Sequence, residues 1–250
     1  MRRALLASVS VLAVLAAVPA LAADLPSKMP VKAAPIAPAP RFSWTGCYIG
    51  GNIGYGWGQT GFADPTPNDY LVTGGGGGWS PVAFTADTSG VLGGGQIGCN
   101  YQLDPSWVVG IEGDISAASI KGTTHTPLWF DSPLESKTTW MASLTGRVGY
   151  AWNNWMVYAK GGAAWAHFDF FSTNYIGSWT ASETPAGWTV GGGLEWAFAN
   201  DWSAKLEYDY YDFGEHDVSF AGPPPPTTEH MTTRTMQAVT IGLNYHFRPY

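Results

Sequence analysis

The stretch Val239-Thr240-Ile241-Gly242-Leu243-Asn244-Tyr245-His246-Phe247 alternates without interruption between apolar and polar or small residues. Successive side chains of a strand point to opposite faces. Val239, Ile241, Leu243, Tyr245 and Phe247 therefore form one row, and Thr240, Gly242, Asn244 and His246 the other. The apolar row ends in aromatic residues, while the opposite row stays polar. A chain that repeats this behind an export signal reads as a membrane β-barrel, with lipid outside and a polar lumen inside.

The export signal is at the other end. Met1-Arg2-Arg3 is a short basic segment, Ala4 to Pro19 is apolar and alanine-rich, and Ala20-Leu21-Ala22 is an A-x-A cleavage site. This pattern predicts a secretory signal over residues 1–22 rather than an anchor. No later segment has the run of about 18 apolar residues that a spanning helix needs. Residues 23–43 carry Pro26, Pro30, Pro35, Pro38 and Pro40, and are expected to be an extended periplasmic lead-in. The barrel is expected over 44–250.

From Trp44 onward one unit recurs: Trp, an alternating strand, a long polar loop, a second strand and a short turn. The short turns are Asp104-Pro105, Asn153-Asn154 and Asn200-Asp201, all of turn-favouring residues. Eight antiparallel strands are predicted, at about 44–58, 89–103, 106–118, 139–152, 155–169, 187–199, 202–213 and 234–247. Each exceeds the ~9–11 residues a tilted spanning strand requires. With the short turns periplasmic, Trp44, Trp107, Trp155 and Trp202 are expected to form an aromatic girdle on that side. The chain also holds 32 Gly, 13 Trp and 12 Tyr. That glycine load would weaken helices, but inward glycines make room in a narrow barrel.

Charge separates by face. Outward rows such as Trp107, Val109, Ile111 and Ile115, or Trp202, Ala204, Leu206, Tyr208 and Tyr210, carry none. Every mid-strand charge falls on the inward row: Glu112, Asp114, Arg147, Lys160, Glu195, Lys205, Glu207 and Asp209. A charge at mid-depth on the lipid face would cost about 2–4 kcal/mol. Eight strands leave a bore that side chains can fill, and buried charges are tolerated when paired. These residues are thus expected to form a lumen charge network, with Glu112–Arg147 and Glu195–Lys205 as candidate pairs and Lys160 reaching acids on either side. A charge-lined pore is the alternative.

Other chemistries find little support. Lys and Arg number 12 against 19 Asp and Glu, a formal net charge of −7, which argues against a nucleic-acid partner. His125, His216 and His230 sit in expected outer loops beside Asp131, Asp212, Glu215, Asp217 and Glu229, but their spacing matches no standard metal site. No catalytic motif is present. No catalytic residue, metal or cofactor is expected, and a lipid-modifying enzyme ranks third behind a structural barrel and a small porin. Gly74 to Gly78 is no phosphate loop, since no Gly-Lys-Ser/Thr follows; it and Pro223 to Pro226 shape the first and fourth outer loops. Cys47 and Cys99 fall on outward rows of the first two strands. A hairpin that places Tyr48 opposite Gly98 sets them side by side, so a disulfide is expected in the oxidising periplasm.

The chain resembles the small outer-membrane barrel proteins of alphaproteobacteria, typified by the outer-membrane immunogenic proteins of Brucella and their rhizobial relatives. The resemblance lies in Trp44 to Asn52 with Gly54 to Gly58, Gly93 to Gly98, Trp107 to Asp114, Gly146 to Ala151, Gly187 to Glu195, Lys205 to Tyr208 and the final strand. It covers essentially the whole mature chain. It implies an eight-stranded, surface-exposed barrel without catalytic residues, set among outer-membrane lipid and lipopolysaccharide. It further implies recognition of the C-terminal strand by the outer-membrane assembly machinery, and outer loops open to host or neighbouring-cell surfaces. Here Arg248-Pro249-Tyr250 follow Phe247, whereas such chains commonly end on the aromatic of the last strand.

Overall fold

A computed structural model describes residues 42–63, 83–125, 133–173, 177–222 and 227–247. All fall within one compact unit, Pro40–Tyr250. The strands are β1 (Gly46–Ala63), β2 (Ala83–Gln102), β3 (Trp107–His125), β4 (Pro133–Trp152), β5 (Trp155–Thr173), β6 (Ser178–Glu183), β7 (Ala186–Ala197), β8 (Trp202–Asp212), β9 (His216–Phe220) and β10 (Thr227–Phe247). Neighbours pair antiparallel in the order β1-β2-β3-β4-β5-β7-β8-β10, and β10 returns to pair with β1, from Cys47 opposite Phe247 to Ala63 opposite His230. The sheet therefore closes on itself into an eight-stave barrel.

The two additional strands are continuations of staves. β6 pairs with β5 directly above β7, and β9 pairs with β10 directly above β8. Thr184-Pro185 separates β6 from β7, where proline offers no N–H to the ladder. Phe213-Gly214-Glu215 separates β8 from β9; Gly214 has φ 66° there and its N–H donates to Asp212 Oδ1 at 2.8 Å. Above the breaks, paired backbone bonds between Thr180 and Ala221, at 2.9 and 3.0 Å, join β6 to β9. Segments expected as loops are thus largely strand: His216 opens β9, His125 closes β3 and His230 lies in β10. Gly74 to Gly78 and Pro223 to Pro226, like Arg248 to Tyr250 and the signal segment, lie outside the described residues.

The long staves have 18 to 21 residues, about twice what the bilayer requires. Their outward apolar band is bounded by aromatic residues. On β5 it runs from Trp155 to Trp165, ten steps of about 3.3 Å, or ~25 Å along the membrane normal at a ~40° tilt. Beyond that level polarity inverts. Asp87, Lys121, Glu135 and Lys137 point outward and are exposed. Ala86, Leu134, Phe168, Phe170, Trp179, Phe213, Val218 and Met236 point inward and are buried. The physics is that of the two surroundings: within lipid the outer face must be apolar, and above it the strands meet water and need an apolar core. A bulge between Thr138 and Trp140 re-phases β4, so its inward row changes from odd to even residues at this boundary. Within the upper core Arg234 pairs with Glu183 at 2.6 Å and lies over Phe168, 3.9 Å from the ring centre.

The short turns carry their own stabilisation. Asp104 Oδ1 accepts the backbone N–H groups of Ser106 and Trp107, each at 2.7 Å. The Trp107 bond, then the Ser106 bond, holds its carboxyl below the ordinary carboxylate range. Asn153 takes φ 51° in the β4–β5 turn, a left-handed conformation that asparagine tolerates.

One expected girdle member is corrected. Trp107, Trp155 and Trp202 are outward and exposed, but Trp44 is 1% exposed. It lies inside the periplasmic mouth, its ring 4.7 Å from Phe42 and 6.0 Å from His246. The reason is parity: the outward residues of β1 are Cys47, Ile49 and Ile53, all odd, so Trp44 shares the inward row of Tyr48. Phe42 is buried with it, and the barrel's packing starts two residues before the expected boundary at 44.

Candidate functional site

The lumen is filled in three layers. The lowest is the aromatic cap of Phe42 and Trp44, packed with Val108, Ala151, Met156, Tyr158 and Ala197. The backbone N–H of Trp44 donates to Gln102 Oε1 at 3.1 Å, tying the cap to the rim of β2. The highest is the apolar core above the membrane level. Between them lies the charged layer, contributed by β3, β4, β5, β7 and β8.

Glu112 is the hub of that layer. Lys205 Nζ approaches its two oxygens at 3.0 and 3.1 Å, Arg147 Nη1 at 3.6 Å and Lys160 Nζ at 3.6 Å. The Tyr48 hydroxyl donates to it at 2.6 Å. Arg147 also meets Glu195 at 3.3 Å and donates from Nε to Asn100 Oδ1 at 2.8 Å. Its guanidinium lies between the rings of Tyr48 and Tyr158, 4.9 and 5.0 Å from their centres. Lys160 pairs with Glu207 at 2.6 Å and Asp209 at 3.3 Å, while Lys205 adds Glu207 at 3.2 Å. Tyr158 donates to Glu207 at 2.5 Å. Arg147, Lys160, Lys205, Glu112, Glu195, Glu207 and Asp209 are all at most 4% exposed. Asp114 stands at the upper edge, half-buried, and accepts a bond from Ser143 Oγ.

One expected pair does not form. Glu195 and Lys205 are direct partners in the β7–β8 ladder, yet their charged ends part. Glu195 takes Arg147, Ser203 Oγ at 2.5 Å and Asn244 Nδ2 at 2.9 Å, whereas Lys205 reaches Glu112 and Glu207. In so narrow a bore, long side chains find partners across the lumen as readily as beside them. Sequence reasoning placed Asn244 and His246 on the polar row of the last strand but passed over the other uncharged members: Tyr48, Asn100, Tyr158 and Ser203. Their signal was available, since each stands on an inward row of a strand otherwise facing lipid.

Ser203, His246 and Glu195 come together, but not as a hydrolytic triad. Ser203 Oγ lies 2.8 Å from His246 Nε2, and Glu195 meets that same nitrogen, at 3.6 Å. A triad's acid orients the base from its other nitrogen. Ser203 is also wholly buried, so no substrate reaches its hydroxyl.

A cavity of about 20 Å³ remains above the charged layer, lined by Asn52, Asp114, Ser116, Glu207, Asp209 and Thr240 among others. It has room for about one water.

On the outward surface near the periplasmic rim, Cys47 and Cys99 face each other in the β1–β2 ladder with an S–S distance of 2.07 Å. They are 52 residues apart in sequence. Replacing both by serine is expected to lower unfolding stability by about 2–4 kcal/mol, the range for closing such a loop. Urea midpoints of wild type and variant in lipid vesicles, with and without reductant, measure it; identical midpoints would show that the bridge does not constrain the chain.

The closed ring, its aromatic-bounded apolar band and its internal charges define a transmembrane β-barrel of the outer-membrane type. The chain belongs to the outer membrane protein beta-barrel domain family, whose model matches residues 8–247. It is 32% identical to the 31 kDa outer-membrane immunogenic protein of Brucella melitensis, over 99% of this chain and all of that one. It is 28% identical to the 22 kDa outer membrane protein of Rhizobium leguminosarum bv. viciae, over 74% of this chain and 70% of the relative. Among solved structures, the outer membrane protein OprG of Pseudomonas aeruginosa aligns over 82% of this chain and 99% of its own, at 12% identity and TM-score 0.48. The protein therefore resides in the bacterial outer membrane.

Proposed function

We propose that this protein is a structural, surface-exposed component of the outer membrane whose lumen is closed to solutes. It strengthens the envelope and presents its outer strands and loops to other surfaces. The observation that carries this reading is the charged layer. Three bases and four acids meet across the bore at 2.6–3.6 Å, almost wholly buried. Opening a path for ions would require separating pairs that hold one another in a low dielectric, which is costly for each charge left alone. The cap of Phe42 and Trp44 below and the apolar core above close the same path twice more. A non-catalytic role fits the one Ser–His contact among the described residues, which is buried away from substrate.

Single-channel recording of the refolded mature protein in a planar bilayer tests this. Silent membranes, from protein that shows a heat-modifiable folded band, are the expected result. Stable stepwise conductance would establish the porin reading instead, with ion selectivity changed by Lys205→Glu.

A further inference from the structure

The described residues contain six lysines and arginines, and the barrel buries four of them: Arg147, Lys160, Lys205 and Arg234. The other two, Lys121 and Lys137, are exposed on the outer face. They are also direct cross-strand partners in the β3–β4 ladder. A strongly acidic chain thus places both of its outward-facing described bases side by side. Directly opposed residues of an antiparallel pair have Cβ atoms about 4.5–5.5 Å apart, where like charges repel. Among the described residues, no carboxylate forms an ion pair with either lysine. Three carboxylates share this outward face: Asp169 stands opposite Lys137 and lies 3.5 Å from His167, Asp87 accepts a bond from Gln59 at 3.0 Å, and Glu135 is exposed two residues from Lys137.

Their height on the barrel completes the argument. Lys137 lies just beyond Trp140 and the bulge that re-phases β4. Below this level the outward row is apolar, with Leu144, Val148 and Tyr150; above it come Glu135 and water. The two lysines therefore stand where the acyl region gives way to headgroups. Their methylene stems can lie along the apolar band while the ammonium groups stay in the polar zone. An anion between them would turn the repulsion into a two-point clamp.

We infer that Lys121 and Lys137 together bind a phosphate of an outer-leaflet lipid headgroup. The inference rests on residence in the outer membrane and not on whether the lumen conducts.

The test is native mass spectrometry of the full mature protein, refolded in non-ionic detergent, with diphosphorylated lipid A as probe. Lysine near an anionic lipid surface contributes about fivefold each to binding, so Lys121→Gln and Lys137→Gln should each lose about that factor. The double variant should fall to the level of dephosphorylated lipid, and Lys121→Arg with Lys137→Arg should retain binding. A heat-modifiable band certifies folding, and if the double variant fails to fold the single variants decide. Equal retention by wild type and the Gln variants would overturn the inference. So would equal retention of dephosphorylated lipid. Loss of binding in EDTA would assign the contact to a cation on the neighbouring carboxylates. Capture of inorganic phosphate without lipid A would make the site one for a soluble anion. Either result overturns the membrane source.

Discussion

Replacing Arg147 by methionine is expected to destabilise the barrel by about 3–5 kcal/mol, the range for removing one partner of a buried ion pair. The guanidinium touches both Glu195 and Glu112 and is held between two tyrosine rings. Without it Glu195 keeps only neutral donors and the imidazole of His246 at 3.6 Å. Glu112 keeps its lysines, so Glu195 suffers the greater loss. A second substitution separates charge from shape. Arg147→Met with Glu195→Gln removes the orphaned charge and should regain a substantial part of the loss, with a coupling above about 1 kcal/mol as expected for contacting residues. Urea unfolding in lipid vesicles, followed by tryptophan fluorescence, measures these two variants and Glu195→Gln alone. Additive effects would mean that Arg147 acts through packing against Tyr48 and Tyr158 alone. Single-channel recording of the same variants tests the proposed closure from a second direction.

Period-two alternation and the segregation of charge were enough to read eight staves and their order, but Arg234, buried on an inward row of β10, was not among the expected inward charges. They were enough because lipid outside and a packed lumen inside leave a strand only one workable phase. The same rule, applied to Trp44, contradicts its placement in the girdle: a tryptophan near a strand's start suggested an interface anchor, but its even number places it in the mouth. Partner choice inside the lumen was not legible. Ladder neighbours such as Glu195 and Lys205 are fixed by register, whereas the ends of their side chains are free to cross the bore. The upper core was hidden for a different reason. Leu134, Phe168, Phe170 and Met236 keep the period of two, but polarity inverts where the staves leave the bilayer, and the bulge in β4 shifts the phase there. A fixed assignment of apolar to outside then misreads every residue above that level. β6 and β9 fall between the strands expected at 155–169 and 187–199 and at 202–213 and 234–247, because Pro185 and Gly214 interrupt the alternation although the ladders resume beyond them.

Gly162→Val is expected to prevent or severely impair closure of the barrel, whereas Gly146→Val, at the lipid-facing centre of the neighbouring stave, is expected to be nearly neutral. Both glycines lie in the β4–β5 pairing, Gly162 opposite Thr145 and Gly146 opposite Gly161. A Cβ on Gly162 would stand 2.0 Å from the Leu144 carbonyl oxygen and 2.8 Å from Thr145 Cα. These are backbone atoms of the adjoining strand, so relief requires β4 and β5 to separate, and the ladder hydrogen bonds weaken with it. Even modest overpacking costs about 1–3 kcal/mol; a clash against backbone, enlarged by a branched side chain, belongs at or beyond the upper end. A Cβ on Gly146 meets nothing within 4 Å and points into lipid, where valine is a favoured strand residue. The comparison controls for the general effect of replacing glycine in a strand, because both positions gain the same side chain in the same hairpin. Refolding yield, read as the fraction of heat-modifiable protein, should fall steeply for Gly162→Val and stay at the wild-type level for Gly146→Val. Equal yields would mean that the close approach at Gly162 is relieved by local motion of the strands, and that inward glycine there is not what permits the two staves to meet.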